Sequence, residues 1–338
     1  MLSKCSRKRQ EQAMQIQDIF HRYEADLAMV EKFVEEQHQS YVHLIPEITG
    51  YLINSGGKRL RPLLLMISSD LCGYRGERRY AMAAILEFIH TASLLHDDVV
   101  DHAIIRRGKT SANTIWGNSA TVLVGDYLYS KAFKVLADDE DPAVQKLLAT
   151  TTTTMTEGEI IQLTRMGEIN TSEKEYLSVI EKKTAILISA ACAVGAILAK
   201  DSESRIEALT RFGMRLGMAY QLTDDALDYV AEEEEFGKVI GMDIKERKTT
   251  LPLIRTLKKC STAERELIEK AMAGKTAISE STVTEIVSLI NRYRGIEYAM
   301  EKARNYIDEA KRFLDPFEDT VPKEALLAIS DYIIERKL

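Results

Sequence analysis

The chain has 338 residues, 45% of them hydrophobic and 29% charged, with a formal net charge of −7. That is enough apolar material for a sizeable core, and the acidic balance argues against a nucleic-acid binder, which would carry a basic domain or stripe. Cys5, Cys72, Cys192 and Cys260 are far apart and fit neither a zinc-ligand spacing nor a disulfide framework, so a reducing cytoplasm is the simplest setting.

The opening segment carries Lys4, Arg7, Lys8 and Arg9 without the apolar run of a signal peptide, and residues 1–20 are expected to be a solvated tail. Residues 21–338 are expected to form a single domain. Six prolines, together with apolar residues at three- and four-residue intervals such as Ala83, Leu86, Phe88, Ile89, Ala92 and Leu95, predict a mainly helical chain. Breaks are expected at Gly56-Gly57, Cys72-Gly73, the acidic run ending Asp141-Pro142, Asp201-Ser202, Gly237 to Gly241 and Asp315-Pro316. No apolar run approaches the roughly 18 to 20 residues needed to span a bilayer. The Thr150 to Thr154 run favours strand by β-branching, yet it leads into Glu157, Gly158, Glu159 and Gln162 and is placed on a helix. A helical bundle with two opposed sites fits better than a solenoid.

The first segment with chemistry is Gly56-Gly57-Lys58-Arg59-Leu60-Arg61-Pro62. A glycine turn feeds a helix whose Lys58 and Arg61 share a face, and free N–H groups beside a bidentate arginine make a diphosphate site. Surface solubility is the bland alternative. His90 lies two turns before Asp97 on the same face; alone, it would more often be a packed core histidine. Asp97 and Asp101, four apart, project from one helix face with Asp98 beside them. Such crowding becomes sensible when a hard divalent cation shares the carboxylates with substrate phosphates, as Mg²⁺ does. Arg106-Arg107 follow closely enough to balance this charge, and Lys182-Lys183-Thr184 opens another apolar helix. Gln221, Asp224, Asp225 and Asp228 repeat the pattern. Either motif alone reads as a cap or a solvated acidic face, as do Asp138, Asp139 and Asp141 before Pro142. Here Leu94-Leu95 and Ala226-Leu227 carry the acids towards burial, where carboxylates need cations.

In order, Gly-Gly-Lys-Arg-Leu-Arg-Pro, Leu-Leu-His-Asp-Asp-Val-Val-Asp, Arg-Arg-Gly-Lys, Val-Gly-Asp-Tyr, Lys-Thr-Ala and Tyr-Gln-Leu-Thr-Asp-Asp-Ala-Leu-Asp resemble the polyprenyl synthetase family. The likeness runs from about Tyr51 to Leu253, continues loosely to the C-terminus, and is nearest the long-chain bacterial members of the octaprenyl diphosphate synthase type. It implies an all-α fold, a single large helical bundle of the isoprenoid synthase type with a central active-site cavity. It also implies that Lys58, Arg61, His90 and Arg107 hold isopentenyl diphosphate, while Arg106, Lys183, Thr184 and Gln221 contact the allylic prenyl diphosphate or its developing cation. Asp97, Asp101 and Asp224 are the implied Mg²⁺ ligands, with three ions when substrate is bound. Asp98, Asp225 and Asp228 would act through water or as supporting partners, and Lys238 with Lys248 would close over the diphosphates from a loop. Val239 stands where many members have proline, which bears on loop stiffness. Two residues between the outer acids of the first motif, where several short-chain bacterial enzymes have four, favour the long-chain group.

The implied reaction ionises the allylic diphosphate and lets the double bond of isopentenyl diphosphate attack its C1, without a protein nucleophile. Ala92 and Ser93, one turn before Asp97, are small, so a tunnel beneath the motif is expected to admit a product longer than C20, octaprenyl-like and suited to quinone side chains, with farnesyl diphosphate as primer. Phe88 and Ile89 are read as core. A homodimer is implied, with the apolar Leu123 to Leu136 segment serving its interface or the core, and any membrane association is expected to be peripheral, through the product. A short-chain (C15–C20) synthase is an alternative product reading. A terpene cyclase would need no Lys58, Arg61 and His90 set, and a noncatalytic partner subunit would not need intact acids in both motifs.

Overall fold

A computed structural model of the chain describes residues 14–53, 55–56, 59–106, 108–230, 240–274 and 276–336. Lys58, Arg107, Lys238 and Val239, with Lys4, Cys5, Arg7, Lys8 and Arg9 of the tail, lie outside the described residues.

The chain begins with α1 (Ile16–Arg22), α2 (Glu24–His38), α3 (Leu44–Ile53), α4 (Leu60–Leu71) and α5 (Arg78–Val100). A two-residue antiparallel pair follows, β1 (Ile105–Arg106) with β2 (Lys109–Thr110), Ile105 opposite Thr110. Next come α6 (Ala112–Trp116), α7 (Asn118–Ala137), α8 (Pro142–Thr164) and α9 (Glu173–Ile180), which runs through a π-helical turn, Glu181–Ala185, into α10 (Ile186–Leu198). After α11 (Glu203–Leu227) the remaining elements are α12 (Met242–Lys245), α13 (Leu251–Leu257), α14 (Thr262–Ala273), α15 (Glu280–Arg292), α16 (Gly295–Arg312) and α17 (Val321–Glu335).

Local chemistry sets these boundaries. Asp141 accepts the backbone N–H of Ala143 at 3.1 Å with Pro142 in the first helical position, and Ser172 forms a reciprocal capping box with Glu175. The threonine run lies within α8 as expected. Hydroxyls of Thr151 and Thr153 donate to the carbonyls of Leu147 and Ala149 at 2.8 and 3.0 Å, so the polar end of each β-branched side chain folds back onto the helix.

At the centre lies α10, where only Ile186 and Ile197 are not buried; a helix apolar all round belongs inside. It packs between α4, α8 and α11. Two glycines bring its neighbours close to the π-turn. A Cβ on Gly158 of α8 would lie 2.8 Å from the backbone nitrogen of Lys183, and one on Gly217 of α11 would lie 2.5 Å from the Cα of Ala185. The turn carrying Lys183 and Thr184 is thus clamped from both sides, and an inserted residue of this kind commonly marks a functional position. The N-terminal helices are latched by the buried Arg79, which donates to Asp26 at 2.6 Å and Asp70 at 2.9 Å. Among the described residues no helix is long and apolar enough to cross a membrane.

Candidate active site

Two cavities of about 730 and 440 Å³ meet between α5, α8, the π-turn and α11. Asp97, Arg106, Lys183, Thr184 and Gln221 line both. The larger is walled by Arg61, His90, Ser93, Glu159, Asp224 and Arg336, with Ile16, Phe20, Met155 and Ile160 supplying apolar surface. The smaller is walled by Asp101, Arg165, Asp225, Asp243, Arg247 and Lys248.

On α5 the spacing of the first motif separates its acids. Asp97 faces the cavities with Lys183 Nζ 3.9 Å away, and that ammonium is held at 2.5 Å by Glu159 of α8. Burial pushes the Asp97 carboxyl up to about 6; Lys183 opposes the shift, while Glu159 and Asp101 add to it. Asp101 accepts from Lys248 Nζ at 2.9 Å, and Glu246 accepts from the same group at 2.7 Å. Burial works against the Lys248 charge, but the two carboxylates together raise it above the ordinary lysine value. Asp98, about 100° around the helix from Asp97, is fully buried and ion-paired with Arg106 of β1.

The second motif on α11 divides differently. Asp224 Oδ1 accepts from Arg336 at 2.9 Å, and that guanidinium lies 4.2 Å from the centre of the Tyr220 ring. Asp225 is buried, accepting from Tyr176 Oη at 2.5 Å and from Gln221 Nε2 at 2.7 Å. Burial pushes it up to about 6 against the pull of those two bonds. Gln221 Oε1 in turn accepts from the Thr184 hydroxyl at 2.9 Å. Asp228 accepts the backbone N–H of Asp243 at 3.0 Å. Burial, with Asp225 and Asp228 close by, holds Asp243 well above the usual carboxylate range.

The basic residues arrive from separate elements. Arg61 sits in the first turn of α4, behind Arg59 in left-handed backbone at φ 44°. That conformation disfavours any residue with a Cβ, and here the Arg59 guanidinium ties it down through Glu87 at 2.8 Å and the Ile53 carbonyl at 3.0 Å. Ser93 donates to the His90 carbonyl at 2.8 Å and reaches the wall of the larger cavity. Ala92 corrects the sequence expectation: it is fully buried and lines neither cavity. Five residues before Asp97, it points about 140° away around the helix, whereas Ser93 points only about 40° away. Phe88 and Ile89 are core, as expected.

These donors suit a magnesium ion that arrives with phosphate. Among the described residues no three His, Cys, Asp or Glu side chains form a group able to hold a metal ion by themselves. Mg²⁺ does not need such a cage, since it keeps several waters and takes one or two carboxylates plus substrate oxygens. Asp243 Oδ2, buried in the chamber wall with no hydrogen-bond partner among the described residues, is the kind of oxygen that a nearby cation stabilises. Sequence reasoning missed Glu159, Tyr176, Asp243 and Arg336. Only Asp243, an acid just past Gly241 and five residues before Lys248, carried a usable local signal.

The family model for polyprenyl synthetase matches residues 42–290. The chain is 35% identical over 325 residues to the octaprenyl diphosphate synthase of Haemophilus influenzae, spanning 96% of this chain and 98% of that one. With the geranylgeranyl diphosphate synthase of Sulfolobus acidocaldarius it shares 34% identity over 300 residues, 86% and 90% of the two chains. The solved polyprenyl synthase from Caulobacter crescentus, complexed with calcium and isoprenyl diphosphate, aligns with a TM-score of 0.91 at 37% identity over 97% of this chain and 99% of that one.

Proposed function

The chain belongs to the polyprenyl synthetase family of metal-dependent prenyltransferases, with the all-α isoprenoid synthase fold, and from that premise we propose that it makes a long all-trans polyprenyl diphosphate. Isopentenyl diphosphate is added head to tail to an allylic diphosphate, with farnesyl diphosphate as primer and an octaprenyl-like product for quinone side chains. The observation that carries this reading is the junction of two chambers at Asp97, Arg106, Lys183, Thr184 and Gln221. Each chamber has its own charged walls, so two diphosphates can lie with their reacting ends together.

In this reading Asp97, Asp101 and Asp224 hold the Mg²⁺ ions, three when substrate is bound. Mg²⁺ bound there supplies Lewis-acid charge to the departing diphosphate. Lys183, Lys248 and Arg106 donate to the same leaving group; the lysines leave Glu159 and Asp101 to do so. Arg61 and His90, with Lys58 and Arg107 from the sequence motif, bind isopentenyl diphosphate without metal. Thr184 and Gln221 turn oxygen towards C1 of the allylic chain as positive charge develops. The isopentenyl double bond then forms the new bond to C1, and the proton lost from the adduct passes to an oxygen of the released pyrophosphate.

The growing chain runs past Ser93, Met155 and Ile160, where the small serine leaves room for a product longer than C20. A short-chain product is the second reading, favoured by the nearly equal identity to the geranylgeranyl relative. The chain is proposed to work in the cytoplasm as a homodimer of one domain, which takes in α1 as well as residues 21–338, since Ile19 is core and Ile16 and Phe20 wall the larger chamber. Leu123 and Phe133 of α7, 67% and 37% exposed, offer apolar surface for a second copy.

Incubating the purified chain with Mg²⁺, farnesyl diphosphate and radiolabelled isopentenyl diphosphate, followed by chromatography of the dephosphorylated products, tests both levels. The expected product is near C40. Products that stop at C20 overturn the long-chain reading, and unextended farnesyl diphosphate overturns the activity.

A further inference from the structure

Both oxygens of Asp225 are taken by side-chain donors, Tyr176 Oη at 2.5 Å and Gln221 Nε2 at 2.7 Å. A carboxylate can only accept, so the Gln221 atom that faces it must be the amide nitrogen. The other end of the amide is fixed with it. Gln221 Oε1 therefore faces Thr184, whose hydroxyl donates to it at 2.9 Å. A hydroxyl has one proton, and once that proton is given to Gln221, Thr184 has only lone pairs to offer the cavities that it lines.

From this chain of bonds we propose that Tyr176 and Asp225 are positioning residues that set the polarity of Gln221 and Thr184, so that these two side chains turn oxygen lone pairs towards the junction of the two chambers. The inference rests on the condensation proposed above and assigns its specificity within one turn of helix. Lone pairs suit an allylic carbon that becomes positive, and they repel the diphosphate, which needs donors. The adjacent Lys183 has the opposite character, an ammonium between Glu159 at 2.5 Å and Asp97 at 3.9 Å. Two consecutive residues of the π-turn thus divide the substrate, one for the leaving group and one for the carbon it leaves. Tyr176 is itself buried on α9 where it borders the smaller chamber, and its hydroxyl is given to Asp225.

Tyr176→Phe keeps the ring and removes that hydroxyl. With the full chain, Mg²⁺, farnesyl diphosphate and isopentenyl diphosphate, the single-turnover rate of the first addition should fall about 10-fold, while the isopentenyl diphosphate and Mg²⁺ concentrations for half-maximal rate stay within about twofold. Thr184→Val should cost about 100-fold, and Thr184→Ser should restore the rate to within about threefold of wild type. The deciding variant is the double one: Tyr176→Phe in the Thr184→Val background should cost clearly less than the roughly 10-fold it costs alone, because only Gln221 remains to be oriented. Losses that multiply, or a Tyr176→Phe chain whose Mg²⁺ requirement shifts along with its rate, overturn the relay. If Tyr176→Phe fails to fold by thermal denaturation, Asp225→Asn takes its place, since the amide nitrogen that replaces one carboxylate oxygen is a donor and cannot accept from Tyr176 or Gln221; the same rate-only loss is expected, and an unchanged rate overturns the relay. A wild-type chain that cannot extend farnesyl diphosphate overturns the activity itself, whereas an active wild type with multiplying losses overturns the relay alone.

Discussion

Asp97 on α5 and Asp224 on α11 open the same Asp-Asp-x-x-Asp spacing, yet the two segments meet different neighbours. In both, the second acid turns away from the first by about 100° and becomes the support of another side chain, Asp98 for Arg106 and Asp225 for Gln221. The last acids differ. Asp101 faces Lys248 in the smaller chamber, whereas Asp228 accepts the backbone N–H of Asp243 and ties α12 to α11. The first motif therefore presents two carboxylates to substrate and the second presents Asp224 to the larger chamber, while Asp243 enters the smaller one near Asp225 and Asp228. One spacing on two helices does not give two equal metal sites; what packs against each helix decides which oxygens remain available.

The largest expected effect tests that asymmetry directly. Asp97→Asn should lower the single-turnover rate about 10³-fold or more, because stabilising the departing diphosphate through metal is worth several kcal/mol. Asp228→Asn keeps an oxygen for the Asp243 N–H and should lose less than about 10-fold. Equal losses at the two positions would break the comparison. Stability should separate the motifs next, by urea denaturation. Asp98→Ala leaves Arg106 without its fully buried partner and should cost about 3 kcal/mol. Asp228→Ala removes acceptance from one backbone N–H and should cost about 1 kcal/mol. Similar costs would mean that Asp98 is no more of an anchor than Asp228.

Much of this was legible in the sequence, for reasons that particular residues show. Helix breaks at Cys72-Gly73 and Asp141-Pro142 rest on local backbone chemistry, which a few consecutive residues determine. The aspartate motifs and Gln221 were legible because a helix repeats its face every three or four residues, and Lys183 and Thr184 through the Lys-Thr-Ala motif of the family resemblance. The partners were not. Arg336 reaches Asp224 across 112 positions and Tyr176 reaches Asp225 across 49, and no local pattern announces such pairs. Glu159 looked like any acid on a polar helix face until Gly158 let the π-turn bring Lys183 against it. That Ser93 reaches the cavity wall and Ala92 does not is a matter of one helical step, resolved only when α5 has its neighbours.

The smallest effect on rate should be the most visible in the product. One turn before Asp97 stands Ser93, and one turn before Asp224 stands Tyr220, a large ring roofed by Arg336. If the two motifs differ in this way, the chain can grow only beneath the first. Ser93→Phe should then leave the rate of the first addition within about threefold while shifting the chromatographed product to a shorter length, since an aromatic ring fills a passage that the hydroxymethyl group leaves open. Ala92→Phe points into the core and should destabilise the fold by about 1 to 3 kcal/mol through overpacking. Its product length should be unchanged where the protein still folds. A stable Ala92→Phe chain with a shortened product, beside a Ser93→Phe chain with the wild-type product, would move the passage to the other side of α5 and end the contrast with Tyr220.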